Sequence, residues 1–208
     1  PGYDGAANLA EAIALANSDL AYGRGVLIAM HTRVHAAGEV VKAHSTALDA
    51  FRSPGSGPVG RNDGGAISFF RQVVPLQLIT GAEPPVPEVA LLICYAGMTD
   101  SILMALRSLD IKGVVVAGMT SGAVPPWLAD PLEQMVSDGI AVAVTTRCTE
   151  GTVLTASPDR RPVPGYPEYL FARAIIPTTL PGLKARIRMA LLLSARIEGT
   201  ELRRRMLA

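Results

Sequence analysis

Apolar residues follow two rhythms along this chain. From Asp4 to Leu20, the positions Asn8, Leu9, Ala12, Ile13 and Ala16 recur at helical spacing, with Asp4 placed to cap the start. Gly23 and Gly25 bracket a turn into Val26–Met30, an apolar run suited to a buried strand. Arg33 to Lys42 alternates around Gly38 like a short hairpin, and Thr46 to Phe51 reads as a helical turn. Ser53-Pro54-Gly55-Ser56-Gly57-Pro58 carries loop chemistry. Asn62-Asp63-Gly64-Gly65 predicts a hairpin turn between short strands, the second being Ala66 to Phe70.

The proline-rich segment Gly81-Ala82-Glu83-Pro84-Pro85-Val86-Pro87 reads as a linker. Beyond it strand and helix patterns alternate. Strands are predicted at Val89–Tyr95, Gly113–Ala117 and Ile140–Thr145. Helices are predicted at Ser101–Leu109 (capped by Asp100), Pro125–Ser137, Leu183–Ile197 and Thr200–Met206. In the third of these Leu183, Ile187, Leu191 and Ser194 form one stripe. Apolar strands alternating with helices imply a parallel sheet covered on both faces, so the second half is a small doubly wound α/β domain. Ligands in such sheets bind beyond the carboxyl ends of the strands. Those ends are Tyr95–Thr99, Gly118–Gly122 and Thr145–Thr149, all small and polar.

Composition narrows the function. Apolar residues are 49% of 208 and charged residues 18%, which supports a buried core and argues against disorder. The formal charge of +1 gives no global field to recruit nucleic acid or an anionic membrane. No apolar run approaches the roughly 20 residues of a membrane span. The one basic run, Arg203-Arg204-Arg205, reads as a solvated helix end. Two cysteines, Cys94 and Cys148, make no disulfide scaffold and read as structural thiols.

Metal and triad chemistry find little support. His31 and His35 lie four apart, roughly 13 Å on extended chain, too far to share an ion. His44, Ser45 and Asp49 are close in sequence, whereas triads assemble in space. Gly118-Met119-Thr120-Ser121-Gly122 sits where a phosphate loop would, but lacks its lysine. No cofactor is expected. Lys42 stands out because the chain uses arginine sixteen times and lysine three times. Its place before the polar run Ala43-His44-Ser45-Thr46 suits either a solvated strand end or an amine that activates a hydroxyl nucleophile.

The residues Asp4-Gly5-Ala6-Ala7-Asn8-Leu9, then Arg24-Gly25-Val26-Leu27-Ile28, then Val40 through Ser53 with Lys42 inside, resemble the bacterial-type L-asparaginase/glutaminase family in order and spacing. Gly57-Pro58-Val59-Gly60 fits that family's following turn. Past the linker the likeness thins to Tyr95-Ala96, the Gly113–Gly118 strand and the helix after Leu180-Pro181-Gly182. The resemblance implies an α/β fold: the remnant of an N-terminal doubly wound domain (helix, strand, hairpins) in 1–80, a linker at 81–88 and a C-terminal parallel-sheet domain in 89–208.

The resemblance also implies chemistry. Family members attack a side-chain amide with a threonine, and a second threonine, an aspartate and a lysine manage protons. Lys42 falls on that lysine. Neither threonine motif, Thr-Gly-Gly-Thr nor Thr-His-Gly-Thr-Asp, occurs in these 208 residues. The chain is therefore expected to be a C-terminal segment, inactive alone and completed by an N-terminal portion. Ser121 and Ala123 stand where the family places substrate-binding asparagines, and Glu150 is the candidate for its acidic substrate contact. The expected partners are a small amino-acid amide and further copies of the chain in a dimer or tetramer, with no nucleic acid and no membrane. The cytoplasm is favoured over the periplasm. A non-catalytic amino-acid-binding or assembly module of the same fold is the alternative.

Overall fold

Strand-forming and helix-forming segments alternate through the second half of the chain, and they build one parallel sheet. A computed structural model describes residues 3–73, 77–154 and 163–207. The chain divides into two units, Pro1–Leu76 and Gln77–Ala208. In the second, β7 (Val89–Ile93), β8 (Gly113–Gly118), β9 (Ala141–Thr146) and β10 (Ile176–Pro177) lie in the order β10-β9-β8-β7, all parallel. Successive side chains of a strand face opposite sides. Leu92, Val114, Val116, Val142 and Val144 therefore pack against α2 (Ser101–Arg107), α3 (Ala129–Ser137) and α4 (Pro167–Phe171). Val89, Val115 and Ala143 pack against α5 (Gly182–Ser194) and α6 (Gly199–Leu207). With neighbours on both edges and helices on both faces, β8 is buried along its whole length.

Three local expectations change here. The stripe Leu183–Ile187 of α5 points outward, with Leu183 70% and Ile187 55% exposed, while Ala185, Met189 and Leu192 pack in the core with the sheet. Both faces of this helix carry apolar residues, so periodicity alone cannot choose between them. Asp100 makes no capping bond to α2. The arginine run is not a solvated end: Arg205 is buried and donates to the Leu78 carbonyl, and Arg203 donates to the Phe171 carbonyl at 3.2 Å. Elements α4 and β10 are too short to show a period. The segment expected as a linker meets α5 through Ser194, whose hydroxyl accepts from the Glu83 N–H at 3.0 Å and donates to its carbonyl at 2.6 Å.

The first unit is a four-stranded antiparallel sheet, order β1-β2-β5-β6, with a separate ribbon β3-β4. The strands are β1 (Leu27–Met30), β2 (Arg33–Ala36), β3 (Val41–Lys42), β4 (Phe51–Arg52), β5 (Gly60–Asp63) and β6 (Ala66–Phe69). Helix α1 (Gly5–Ala16) packs on β1 and buries Leu15. Asp4 does not cap α1 through its side chain; it accepts from Asn8 Nδ2 at 2.9 Å. The hairpin at Gly64-Gly65 forms as expected, both glycines taking positive φ.

Strand β1 is an edge strand and only half-buried, not the buried strand its apolar run suggested. The hairpin expected around Gly38 is replaced by one that turns at His31-Thr32, pairing Met30 with Arg33. Both turn residues hold positive φ (50° and 60°), which costs a side-chain-bearing residue. Helix α1 supports the turn: the His31 N–H donates to Asn8 Oδ1 at 3.0 Å and the Thr32 N–H to Glu11 Oε2 at 3.1 Å. On the next residues Val34 enters the core, while buried His35 bonds Ser53 through Nδ1 at 2.9 Å.

Two outcomes follow from this unit. Replacing His31-Thr32 by Asn-Gly, the residues such a turn favours, raises stability by about 1 kcal/mol in urea unfolding followed by far-UV circular dichroism. The second outcome concerns pH. Burial, with Arg33 and Arg71 nearby, pulls the His35 pKa below its ordinary 6.5, against the opposing pull of Glu39. Neutral His35 is thus the form that folding favours. Its contribution is complete above 6.5 and is lost as pH falls from there through the lower folded value. His35→Gln removes this dependence, leaving a flatter plot of melting temperature between pH 7.5 and 5.

Candidate functional site

Lys42 sits on a ribbon of two very short strands. It pairs with Phe51 across the ribbon, and the Ala43 N–H donates to the Ala50 carbonyl at 2.7 Å. The far end is closed by His44, whose Nδ1 accepts from the Thr46 and Ala47 N–H groups at 3.1 and 3.0 Å. Asp49 pairs with Arg52 at 2.8 Å, which holds its carboxyl below the usual range. His44 and Asp49 therefore serve the ribbon's turn, and the segment expected as a helical turn is non-helical: 46–50 is bend, turn and irregular chain, and Phe51 opens β4. The Lys42 side chain is exposed and makes no hydrogen bond or ion pair among the described residues.

The ribbon's two legs are tied at their base. On the entering side, Glu39 forms an ion pair with Arg71, whose Nη1 reaches Oε1 at 3.1 Å. The Ser56 hydroxyl donates to Glu39 Oε2 at 2.9 Å. On the leaving side, Ser53 meets His35, the Gly57 N–H donates to the Ser53 carbonyl at 2.9 Å, and Arg71 donates to the Gly57 carbonyl at 3.1 Å. The Arg71 bond holds the Glu39 carboxyl below its ordinary range. Of these residues the sequence pointed to Ser53 in the Phe51-Arg52-Ser53 match and to Gly57 in the following turn, raised His35 only as a metal ligand, and gave Glu39, Ser56 and Arg71 no role. Bonds between residues so far apart in sequence leave no spacing signal.

In the second unit the three strand-end loops are knotted together. After β9, the Arg147 N–H donates to the Gly118 carbonyl at 2.8 Å, and its guanidinium reaches the Cys94 carbonyl beyond β7 at 2.9 Å. The Thr146 hydroxyl donates to the Thr120 carbonyl and accepts from the Cys148 N–H at 3.0 Å. Trp127 Nε1 donates to the Met98 carbonyl at 3.0 Å. Thr146 and Arg147 organise this edge, and neither has a local motif that would announce it.

The loop after β8 closes on itself. The Met119 N–H donates to the Ala123 carbonyl at 2.7 Å, and the Gly122 and Ala123 N–H groups return to the Met119 carbonyl at 2.9 and 2.8 Å. A Cβ on Gly118 would lie 2.7 Å from the Ala123 carbonyl oxygen, so only glycine permits this closure. The Met119, Gly122 and Ala123 amides are spent within the loop, so these three are not free to cradle a phosphate as P-loop amides are. Ser121 is half-buried and Ala123 offers only a methyl group. Glu150 is exposed in the loop after β9, and the Leu154 N–H ties that segment to the Ser121 carbonyl at 3.2 Å. Ser121, Ala123 and Glu150 thus belong to connected loops of the second unit, and Lys42 belongs to the first. Cys94 is buried, which pushes its thiol up to about 11, while Cys148 is exposed.

Comparison with known proteins agrees with this division. The family model "Asparaginase, N-terminal" matches residues 1–75, and "Glutaminase/Asparaginase C-terminal domain" matches 88–206. An L-asparaginase of Bacillus licheniformis is 26% identical over 200 residues, covering 95% of this chain and 60% of that protein. The probable periplasmic L-asparaginase of Haemophilus influenzae is 30% identical over 153 residues, covering 71% of this chain and 44% of that protein. The crystal structure of the probable cytoplasmic L-asparaginase of Campylobacter jejuni matches with a TM-score of 0.80 at 26% identity, covering 97% of this chain and 61% of that one. The chain thus spans about 60% of the length of the relatives that match it throughout. Among the described residues no helix is long and apolar enough to cross a membrane. With an α/β fold, both halves matched in order and Lys42 in the matched first half, the chain belongs to the asparaginase family.

Proposed function

We propose that this chain is the lysine-bearing and strand-end-loop portion of an amidohydrolase that converts L-asparagine to L-aspartate and ammonia. The observation that carries the reading is Lys42, held out on the β3–β4 ribbon with its amine free of partners among the described residues, inside the segment matched by the asparaginase N-terminal model. Relatives named L-asparaginase support the substrate class.

The reaction runs in two steps. A threonine hydroxyl attacks the side-chain amide carbon, its proton passes to a neighbouring base and from there to the amide nitrogen, and the C–N bond breaks to release ammonia as the acyl ester forms. Water then attacks the ester carbonyl, releasing the acid and restoring the hydroxyl. Lys42 Nζ exchanges protons with the hydroxyl partner in both steps. Neither threonine motif of the family occurs in these 208 residues, and on this reading the chain alone does not turn over. The family resemblance makes Ser121 and Glu150, in the strand-end loops of the second unit, the candidates to bind the amino-acid end of a substrate. Ala123 cannot hydrogen-bond there through its side chain, and this favours a second reading, a non-catalytic amino-acid-binding or assembly module.

Ammonia release from L-asparagine distinguishes them. The 208-residue chain gives none above background. The full-length protein turns over, and Lys42→Ala lowers its kcat by roughly 10²- to 10⁴-fold, the usual worth of a general acid–base group. Turnover by the 208-residue chain that disappears with Lys42→Ala contradicts the missing nucleophile. A full-length protein that releases no ammonia but binds aspartate in calorimetry favours the second reading.

A further inference from the structure

Lys42 stands on a support that cannot hold its own direction. Strands β3 and β4 contain two residues each and pair only with one another. A two-stranded ribbon is marginal in water even when longer. The aim of Lys42 must therefore come from the points where the legs of the ribbon leave the first unit.

Both points carry polar bonds to residues outside the ribbon. Glu39, three residues before Lys42, is gripped by Arg71 and by the Ser56 hydroxyl. Ser53, directly after β4, is gripped by His35 of β2. These bonds are costly to keep. Among the described residues His35 Nε2 and Arg71 Nε are buried with no hydrogen-bond partner, and polar groups so placed are a net loss to stability. Apolar side chains would pack the same base more cheaply. What apolar packing cannot supply is direction, since it is not angle-dependent, whereas hydrogen bonds are.

We propose that Glu39 and Ser53 are positioning residues for Lys42, one fixing each leg of the ribbon, with Arg71 and His35 as their anchors. The inference rests on the reading of Lys42 as the proton-managing residue. Neither Glu39 nor Ser53 touches substrate. Each acts on the geometry of Lys42, so its loss should fall on the chemical step and not on substrate binding.

The test is L-asparagine kinetics of the full-length protein with Ser53→Ala, Ser53→Thr, Glu39→Gln and Lys42→Ala. Ser53→Ala and Glu39→Gln each lower kcat by roughly tenfold to a hundredfold, the scale of a misplaced catalytic group. Their KM stays within about twofold, because binding is untouched. Ser53→Thr, which keeps the hydroxyl, restores kcat. Melting curves accompany the kinetics, and if Ser53→Ala does not fold, Glu39→Gln decides. If Lys42→Ala abolishes turnover while Ser53→Ala and Glu39→Gln keep the parent kcat, the positioning role is overturned and the role of Lys42 stands. If Lys42→Ala retains full turnover, the role of Lys42 falls and the positioning role falls with it.

Discussion

The first unit turns on the anchoring of a ribbon too short to fold by itself. Two pairs of residues, Val41-Lys42 and Phe51-Arg52, make the whole of β3–β4. What they gain from pairing cannot offset the entropy of ordering the eight residues between them. The ion pair of Glu39 with Arg71, and the His35–Ser53 bond, convert this loop into a fixed arm. Arg71 is the hub, because it binds the entering leg at Glu39 and the leaving leg at Gly57. Among its described residues, His35 Nε2 and Arg71 Nε stay buried without a hydrogen-bond partner in this arrangement.

The second unit solves its problem differently. Its sheet needs no polar anchor, since β8 is enclosed on every side by Leu, Val, Ile and Met side chains. On the sheet, polar side chains gather at the carboxyl ends of the strands, where buried Thr145 of β9 donates to the Leu180 carbonyl. There Arg147 and Thr146 lace the loops after β7, β8 and β9 into one surface. A rigid apolar sheet thus presents a polar edge, the arrangement in which open α/β sheets bind their ligands.

How far the chain could be read follows from this contrast. The second unit was legible because buried parallel strands are continuous apolar runs: Gly113–Ala117 and Ile140–Thr145 match β8 and β9 to within one residue at either end. The first unit was less so. Its key turn places His31 and Thr32 at positive φ, where sequence rules look for glycine or asparagine. The support for that turn comes from Asn8 and Glu11, more than twenty residues earlier. Helix faces also misled, because Leu9, Ile13, Leu183 and Ile187 are apolar yet exposed. At the candidate site, Lys42 was legible by its rarity and its neighbours. Arg71, His35 and Thr146 were not, because a bond made across the fold leaves no spacing along the chain.

Amide hydrogen exchange at Ala43 in the 208-residue chain tests most directly whether the ribbon is a fixed arm. Its N–H bonds the Ala50 carbonyl only while the ribbon is formed. A fixed arm predicts protection of the Ala43 amide within roughly tenfold of that in the β1–β2 hairpin, since both then open with the same cooperative unit. Exchange at the rate of a free peptide, with β1–β2 still protected, would show that Lys42 has no set direction and would contradict the account.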